Sequence, residues 1–118
     1  MWIISGDRTL SGAARDAFVD PENEVFLSAV SAWEIAIKHG LGKLPLPLPP
    51  ALFVPKERAR HDIAPLPLEE SSAIMVGRLP DLHRDPFDRM LVCQAISGGL
   101  TLVTPDPLIT QYPVQILW

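Results

Sequence analysis

The chain has 118 residues, of which 47% are hydrophobic and 20% charged, with a formal net charge of -4 and a pI of about 5.2. This length predicts one domain over residues 1–118, since chains below roughly 150 residues seldom divide into two packed cores. The acidic balance argues against broad nonspecific binding to nucleic acid, which depends on a basic surface. A carboxylate cluster that holds a divalent cation would still present positive charge to a phosphate.

Hydropathy and cysteine content predict where the protein is located and whether it forms disulfides. No apolar stretch approaches the roughly 20 residues that span a bilayer, and the first seven residues lack the basic region of a secretory signal. We therefore expect a cytoplasmic protein with no membrane partner. The single cysteine, Cys93, lies in an apolar run, which predicts a buried structural thiol and no intramolecular disulfide.

The first half of the chain alternates helical spacing with short β-prone blocks. A helix is predicted from Leu10 to Asp20, where Pro21 ends it, and a buried strand from Glu24 to Ser28. The next helix covers Ser31 to Gly40, and its spacing predicts a core face made of Val30, Trp33, Ala36 and Ile37. The proline-rich segment 44–50 is predicted to be an extended connection.

The second half continues the alternation. It is predicted to contain a helix from Ala51 to Arg60, an edge strand over 63–68, a helix over 69–79, a helix over 86–97, a strand over 100–103, a short helix over 107–111 and a strand over 114–117. Alternating strands and helices are typical of a parallel α/β sheet covered by helices on both faces, where ligand sites form beyond the carboxyl ends of the strands.

Acidic residues stand at three places where such a sheet would build a site. Glu34 lies one turn into the helix that follows the strand 24–28, and it could simply pair with Lys38 at i, i+4. Asp85 and Asp88 open the helix 86–97, where capping alone could explain both. Asp88, however, lies one turn before Leu91 and points along an apolar stripe, so its carboxylate needs a partner.

The third place is Asp106, just past the strand 100–103, where it could cap the helix that begins at Pro107. Several convergent carboxylates suit Mg²⁺ or Mn²⁺ and phosphodiester hydrolysis. The histidines His39, His61 and His83 lack close ligand spacing, and we predict that each is a surface or structural residue.

Together these segments resemble the PIN-domain toxins of the VapC type. The resemblance rests on SAWEIAIK at 31–38, HRDPFDRML at 83–91 and LTLVTPD at 100–106, and it covers nearly the whole chain. It implies a three-layer α/β/α domain with a central parallel sheet, endoribonuclease activity on RNA that depends on Mg²⁺ or Mn²⁺, inhibition by a cognate antitoxin, and a homodimer.

The same resemblance implies roles for single residues. Glu34, Asp88 and Asp106 match the second, third and fourth acidic positions of the family, and Asp85 matches an extra acid before the third. Asp88 is expected to bind the metal directly, while Glu34 and Asp106 hold its water molecules or a second metal. The basic residues of the same motifs, Arg84, Arg89 and Lys38, are assigned to substrate binding.

The start of the chain departs from the family pattern. Family members open with a short apolar strand that ends in Asp, whereas Met1 to Asp7 resembles the end of the helix that follows that strand. We therefore predict that the first strand and the first catalytic aspartate are missing from the sequence, and that Asp7 does not replace that aspartate. The alternative is a catalytically inactive PIN module that only binds an antitoxin or RNA.

Overall fold

Five short strands form one sheet in the computed structural model of the chain, which describes residues 2–4, 22–104 and 106–117. They are β1 (Trp2–Ile4), β2 (Val25–Ser28), β3 (Ala64–Leu66), β4 (Thr101–Val103) and β5 (Gln115–Leu117). Their order across the sheet is β3-β2-β1-β4-β5, and every neighbouring pair is parallel. Parallel strands require crossover connections, and among the described residues α-helices lie between β2 and β3 and between β3 and β4 in the chain.

Four α-helices are described: α1 (Ala29–Gly40), α2 (Pro50–Arg60), α3 (Glu70–Met75) and α4 (Pro86–Gly98). Two short 3₁₀ helices cover Val76–Arg78 and Pro107–Gln111. Apart from β1, each described segment agrees in type with its sequence prediction to within a few residues. β3 contains Pro65 and lies at the edge of the sheet, where a proline removes no essential ladder bond.

The middle strand β1 corrects one prediction. Residues Trp2–Ile4 were expected to continue a helix and to leave the first strand missing, but they pair with β2 on one side and β4 on the other. Tryptophan and isoleucine have a high propensity for β-strands, which favours this strand. The predicted helix from Leu10 to Asp20, and Asp7, lie outside the described residues.

The core lies between the sheet and α4. Leu91, Val92 and Cys93 are fully buried on that helix, beside Leu102 of β4 and Ile109. Burial raises the pKa of the Cys93 thiol, so this cysteine is a core residue and a poor nucleophile, as predicted. Within the described ranges, no helix is both long enough and apolar enough to cross a bilayer.

Helix α1 presents a different face to the core from the one predicted. Val30 is buried, but Trp33 is 59% exposed and Ile37 is 37% exposed, whereas Ser31 and Glu34 are buried. The helix packs on α4 and α2 through this more polar side. The apolar residues Trp33 and Ile37 therefore form an exposed stripe on α1. The acidic residue Glu34 is buried on this helix, which packs against α4.

Candidate active site

The register of the sheet brings two strand ends to one edge. Ile4 lies opposite both Leu27 of β2 and Val103 of β4, so these two strands end level with each other on either side of β1. Helix α1, which carries Glu34, starts directly after β2, and Asp106 lies three residues after Val103. The first turn of α4 contributes Asp88.

Two of the predicted aspartates meet around a histidine. His83 Nε2 lies 2.7 Å from Asp106 Oδ2 and 3.1 Å from Asp88 Oδ2. One ligand atom from each of these three residues falls within a group 4.8 Å across. Asp88 and Asp106 are thus brought together although 18 positions separate them in sequence.

The carboxyl group of Asp88 is strongly perturbed. Its pKa is raised from 3.8 to about 6, first by burial and then by the negative charge of Asp85, with Glu34 and Asp106 acting in the same direction. His83 opposes this rise. The four acidic residues therefore share one region of negative potential, centred on Asp88.

Glu34 makes the ion pair that its spacing allowed. Lys38 Nζ lies 2.6 Å from Glu34 Oε2, and the pKa of Lys38 is raised, chiefly by this hydrogen bond and further by the charges of Glu34, Asp85 and Asp88, against the effect of desolvation. Only 8% of Glu34 is exposed. The pair is therefore part of the acidic region and differs from an ordinary surface salt bridge.

Both proposed capping roles are present. Asp85 Oδ1 accepts hydrogen bonds from the backbone N–H groups of Phe87 and Asp88, which starts α4. Asp106 Oδ1 accepts one from Leu108 N, while its Oδ2 atom faces His83. Asp106 thus caps a 3₁₀ helix with one oxygen and offers the other to the site.

The three basic residues assigned to substrate binding lie in different settings. Arg84 is exposed, and Lys38 is half exposed beside Glu34. Arg89 is turned inward instead: its guanidinium donates to the carbonyl oxygens of Pro80, Val76, Leu79 and His83 and to the hydroxyl of Tyr112. A guanidinium engaged in this way supports the 76–83 loop, and the contact of Arg89 with substrate stays a prediction.

His83 is the site residue that the sequence reasoning missed. It was grouped with His39 and His61, which do have structural or surface roles: His39 contacts the Leu44 carbonyl, and His61 pairs with Glu57. The available signal was its place in the 83–91 motif, just before the Asp85 cap. Its contact with Asp106 depends on tertiary folding and could not be read from spacing.

A chain of buried polar groups links the start of α1 to the middle of α4. Ser28 caps α1 by accepting a hydrogen bond from Val30 N, and its hydroxyl donates to Gln94 Oε1 on α4. Gln94 in turn donates to the Pro67 carbonyl. An edge-on contact between Trp33 and Phe87, with ring centroids 5.0 Å apart, joins the same helices nearer the acids.

Comparison with known proteins decides the family. A family model described as the PIN domain matches residues 1–114. The chain belongs to the PIN-domain family. The resemblance to VapC-type PIN domains is also confirmed: 52 residues are 48% identical to Ribonuclease VapC16 of Mycobacterium tuberculosis. That match covers 44% of this PIN domain and 37% of the relative's length.

Solved structures agree on the fold. A chain of VapBC2 from Rickettsia felis, bound to a DNA fragment from its promoter, superposes with a TM-score of 0.74 at 13% identity and covers 98% of this chain and 96% of its own. A chain of the DNA-bound VapBC from Salmonella typhimurium gives a TM-score of 0.70 at 18% identity, with 98% and 96% covered. This PIN domain therefore has the architecture of those chains.

Proposed function

We propose that this chain is a divalent-metal-dependent endoribonuclease of the VapC type, the toxin of a toxin–antitoxin pair. The observation that carries the proposal is the convergence of Asp88 and Asp106, with Glu34 and Asp85 close enough to raise the pKa of Asp88. The partial match to a ribonuclease supports the same reaction.

The donor chemistry suits Mg²⁺ or Mn²⁺. Both cations prefer hard oxygen ligands, and a cation would offset the burial and the neighbouring negative charges that together raise the pKa of Asp88. Asp88 and Asp106 would hold it, with Glu34 on the α1 side. When bound, such a cation activates water and offsets the negative charge that develops on a phosphate.

Other side chains of the site would support the binding of the cation and of RNA. Asp85 keeps the first turn of α4 in place and adds negative charge beside Asp88, which strengthens cation binding. Arg84 and Lys38 are the exposed basic groups of the motifs, and each suits a contact with the RNA backbone. Lys38 would give up part of its interaction with Glu34 to make that contact.

One observation favours the alternative of an inactive module that binds RNA or an antitoxin. Ser5 follows β1 in the sequence, at a position where the family pattern has an aspartate. The remaining acids already interact with Lys38 and His83. The site would then keep its shape and its affinity for RNA without cleaving it.

RNA cleavage separates the two functions. The wild-type chain is incubated with a mixture of structured and single-stranded RNAs in Mg²⁺, in Mn²⁺ and in EDTA, beside Asp88→Asn and the control Asp62→Asn, which lies on the surface after α2. An endoribonuclease cleaves only with metal, loses activity in Asp88→Asn and keeps it in Asp62→Asn. RNA binding with no cleavage under any condition supports the inactive module instead.

An antitoxin partner is the second part of the proposal. The similar solved structures are of VapBC2 and VapBC, and this chain exposes a stripe of Trp33, Ile37 and Leu41 along one side of α1 and just past its end. Apolar side chains at this spacing suit an apolar segment of a partner protein. We assign this stripe to the antitoxin.

Co-purification tests the stripe. The antitoxin candidate is the product of any small gene found beside this one. It is expressed with the wild-type chain, with Ile37→Glu and with Ile74→Glu on α3, which is also exposed. Ile37→Glu should lose the partner and Ile74→Glu should keep it. Equal recovery with all three chains would exclude the α1 stripe.

A homodimer is also proposed, on the resemblance to VapC-type toxins. Light scattering on the chromatographed chain would give about twice the mass of 13.0 kDa for a dimer. A mass equal to a single chain at all concentrations would exclude it.

A further inference from the structure

The hydrogen bonds around His83 define its tautomer. The backbone N–H of Asp85 donates to His83 Nδ1 over 3.2 Å, so this nitrogen must offer a lone pair. A neutral imidazole carries one proton, which then lies on Nε2. The Nε2–H group faces Asp106 Oδ2 at 2.7 Å and Asp88 Oδ2 at 3.1 Å.

The backbone that carries this ring is held from outside the site. Arg89 donates to the carbonyl oxygens of Pro80 and His83, and Leu82 N donates to the hydroxyl of Tyr112. These bonds fix the loop against α4. His83 can therefore leave the carboxylates by rotation of its side chain while the loop stays in place.

This tautomer is unsuited to metal binding. A cation at Nε2 needs the lone pair there, which would move the proton to Nδ1 and direct it at the N–H of Asp85. Two donors would then face each other at hydrogen-bonding distance, an unfavourable arrangement. Mg²⁺ also prefers oxygen to nitrogen ligands.

We propose that His83 is a positioning residue that holds Asp88 and Asp106 together in the metal-free protein and competes with the divalent cation for their Oδ2 atoms. The inference rests on the proposed function, because it concerns the same metal site. Its consequence is that His83 stabilises the metal-free fold and weakens metal binding, the opposite of what a ligand does.

Calorimetric titration with Mn²⁺ tests the competition. His83→Ala should bind Mn²⁺ about tenfold more tightly than the wild type, because the shared hydrogen bond from Nε2–H to the two carboxylates no longer has to be broken. The same variant should melt at a lower temperature in EDTA. His83→Gln keeps an N–H donor near the Nε2 position and should fall between the two proteins in both measurements.

The control is His39→Ala, which removes a histidine of α1 whose Nδ1 atom lies 3.0 Å from the Leu44 carbonyl oxygen. It should leave the Mn²⁺ affinity unchanged. If His83→Ala fails to fold, the competition is tested with His83→Gln and with the NMR measurement on the wild type described below.

Nitrogen NMR of the imidazole rings gives a readout that is independent of activity. In EDTA and mildly alkaline buffer, His83 should show the Nε2–H tautomer, and Mg²⁺ should shift the Nε2–H signal as its bonds to the carboxylates are lost. An Nδ1–H tautomer overturns the proposal, as does weaker or unchanged Mn²⁺ binding by His83→Ala. If the wild type binds no Mn²⁺ and cleaves no RNA, both the proposed function and the competition between His83 and the cation are refuted. If RNA cleavage depends on metal as expected but His83→Ala binds Mn²⁺ with unchanged affinity, only the role of His83 is refuted.

Discussion

Replacing Asp88 with asparagine should make the metal-free protein more stable at neutral pH. The side chain is 20% exposed, and burial together with three neighbouring acids raises its pKa from 3.8 to about 6. This rise corresponds to a cost of about 3 kcal/mol for keeping the ionised carboxylate in the folded state. Asparagine has nearly the same shape and carries no charge, so it avoids that cost.

The sign of the pH dependence follows from the direction of the shift. Between pH 3.8 and about 6 the folded protein binds more protons at Asp88 than the unfolded chain does, so wild-type stability falls as pH rises through this window. The gain from Asp88→Asn should be about 3 kcal/mol at about pH 7.5 and about half of that at about pH 5.

Urea unfolding in EDTA at these two pH values measures the gain. Asp62→Asn makes the same chemical change at an exposed position and should alter stability by less than about 0.5 kcal/mol at either pH. A destabilised Asp88→Asn at neutral pH, or an equal gain at both values, would refute the reasoning that burial and neighbouring acids strain this carboxylate.

Three further outcomes are expected. Mn²⁺ at about 100 times its dissociation constant should stabilise the wild type by about 2.7 kcal/mol in a thermal melt and stabilise Asp88→Asn much less, and equal shifts would argue against Asp88 as a ligand. Arg89→Lys should cost about 2–4 kcal/mol in urea unfolding, because one ammonium cannot donate to all the loop carbonyls that Arg89 reaches, while the exposed Arg78→Lys should cost little. Gln94→Leu should cost about 2–3 kcal/mol because the Ser28 hydroxyl loses its acceptor and the Pro67 carbonyl loses its donor, and an unchanged midpoint would contradict the role of that buried chain.

Much of the fold was predictable because its signals are local. Turn residues and prolines bound the short apolar blocks, and the Asp85-Pro86 pair and the left-handed Gly99 mark the ends of α4. The exception among the described strands is β1, where a match to a family helix outweighed the β propensity of Trp2–Ile4.

The candidate site was predictable in its acids and less so in its other groups. Glu34 lies one turn into the helix after β2, Asp88 lies in the first turn of α4, and Asp106 follows β4. These positions predict acids near one edge of a parallel sheet. The orientations of the His83 and Arg89 side chains could not be predicted from the sequence. Each is set by carbonyl or carboxylate groups that lie far away in sequence or on an irregular loop.

The most direct measurement is the rate of RNA cleavage by the purified wild-type chain in Mn²⁺, compared with Asp88→Asn in the same buffer and with the wild type in EDTA. If Asp88 is central to a metal-dependent ribonuclease site, the wild type cleaves and both comparisons are slower by at least about 100-fold. Cleavage that persists in EDTA, or that Asp88→Asn performs at the wild-type rate, would contradict the assignment of this site.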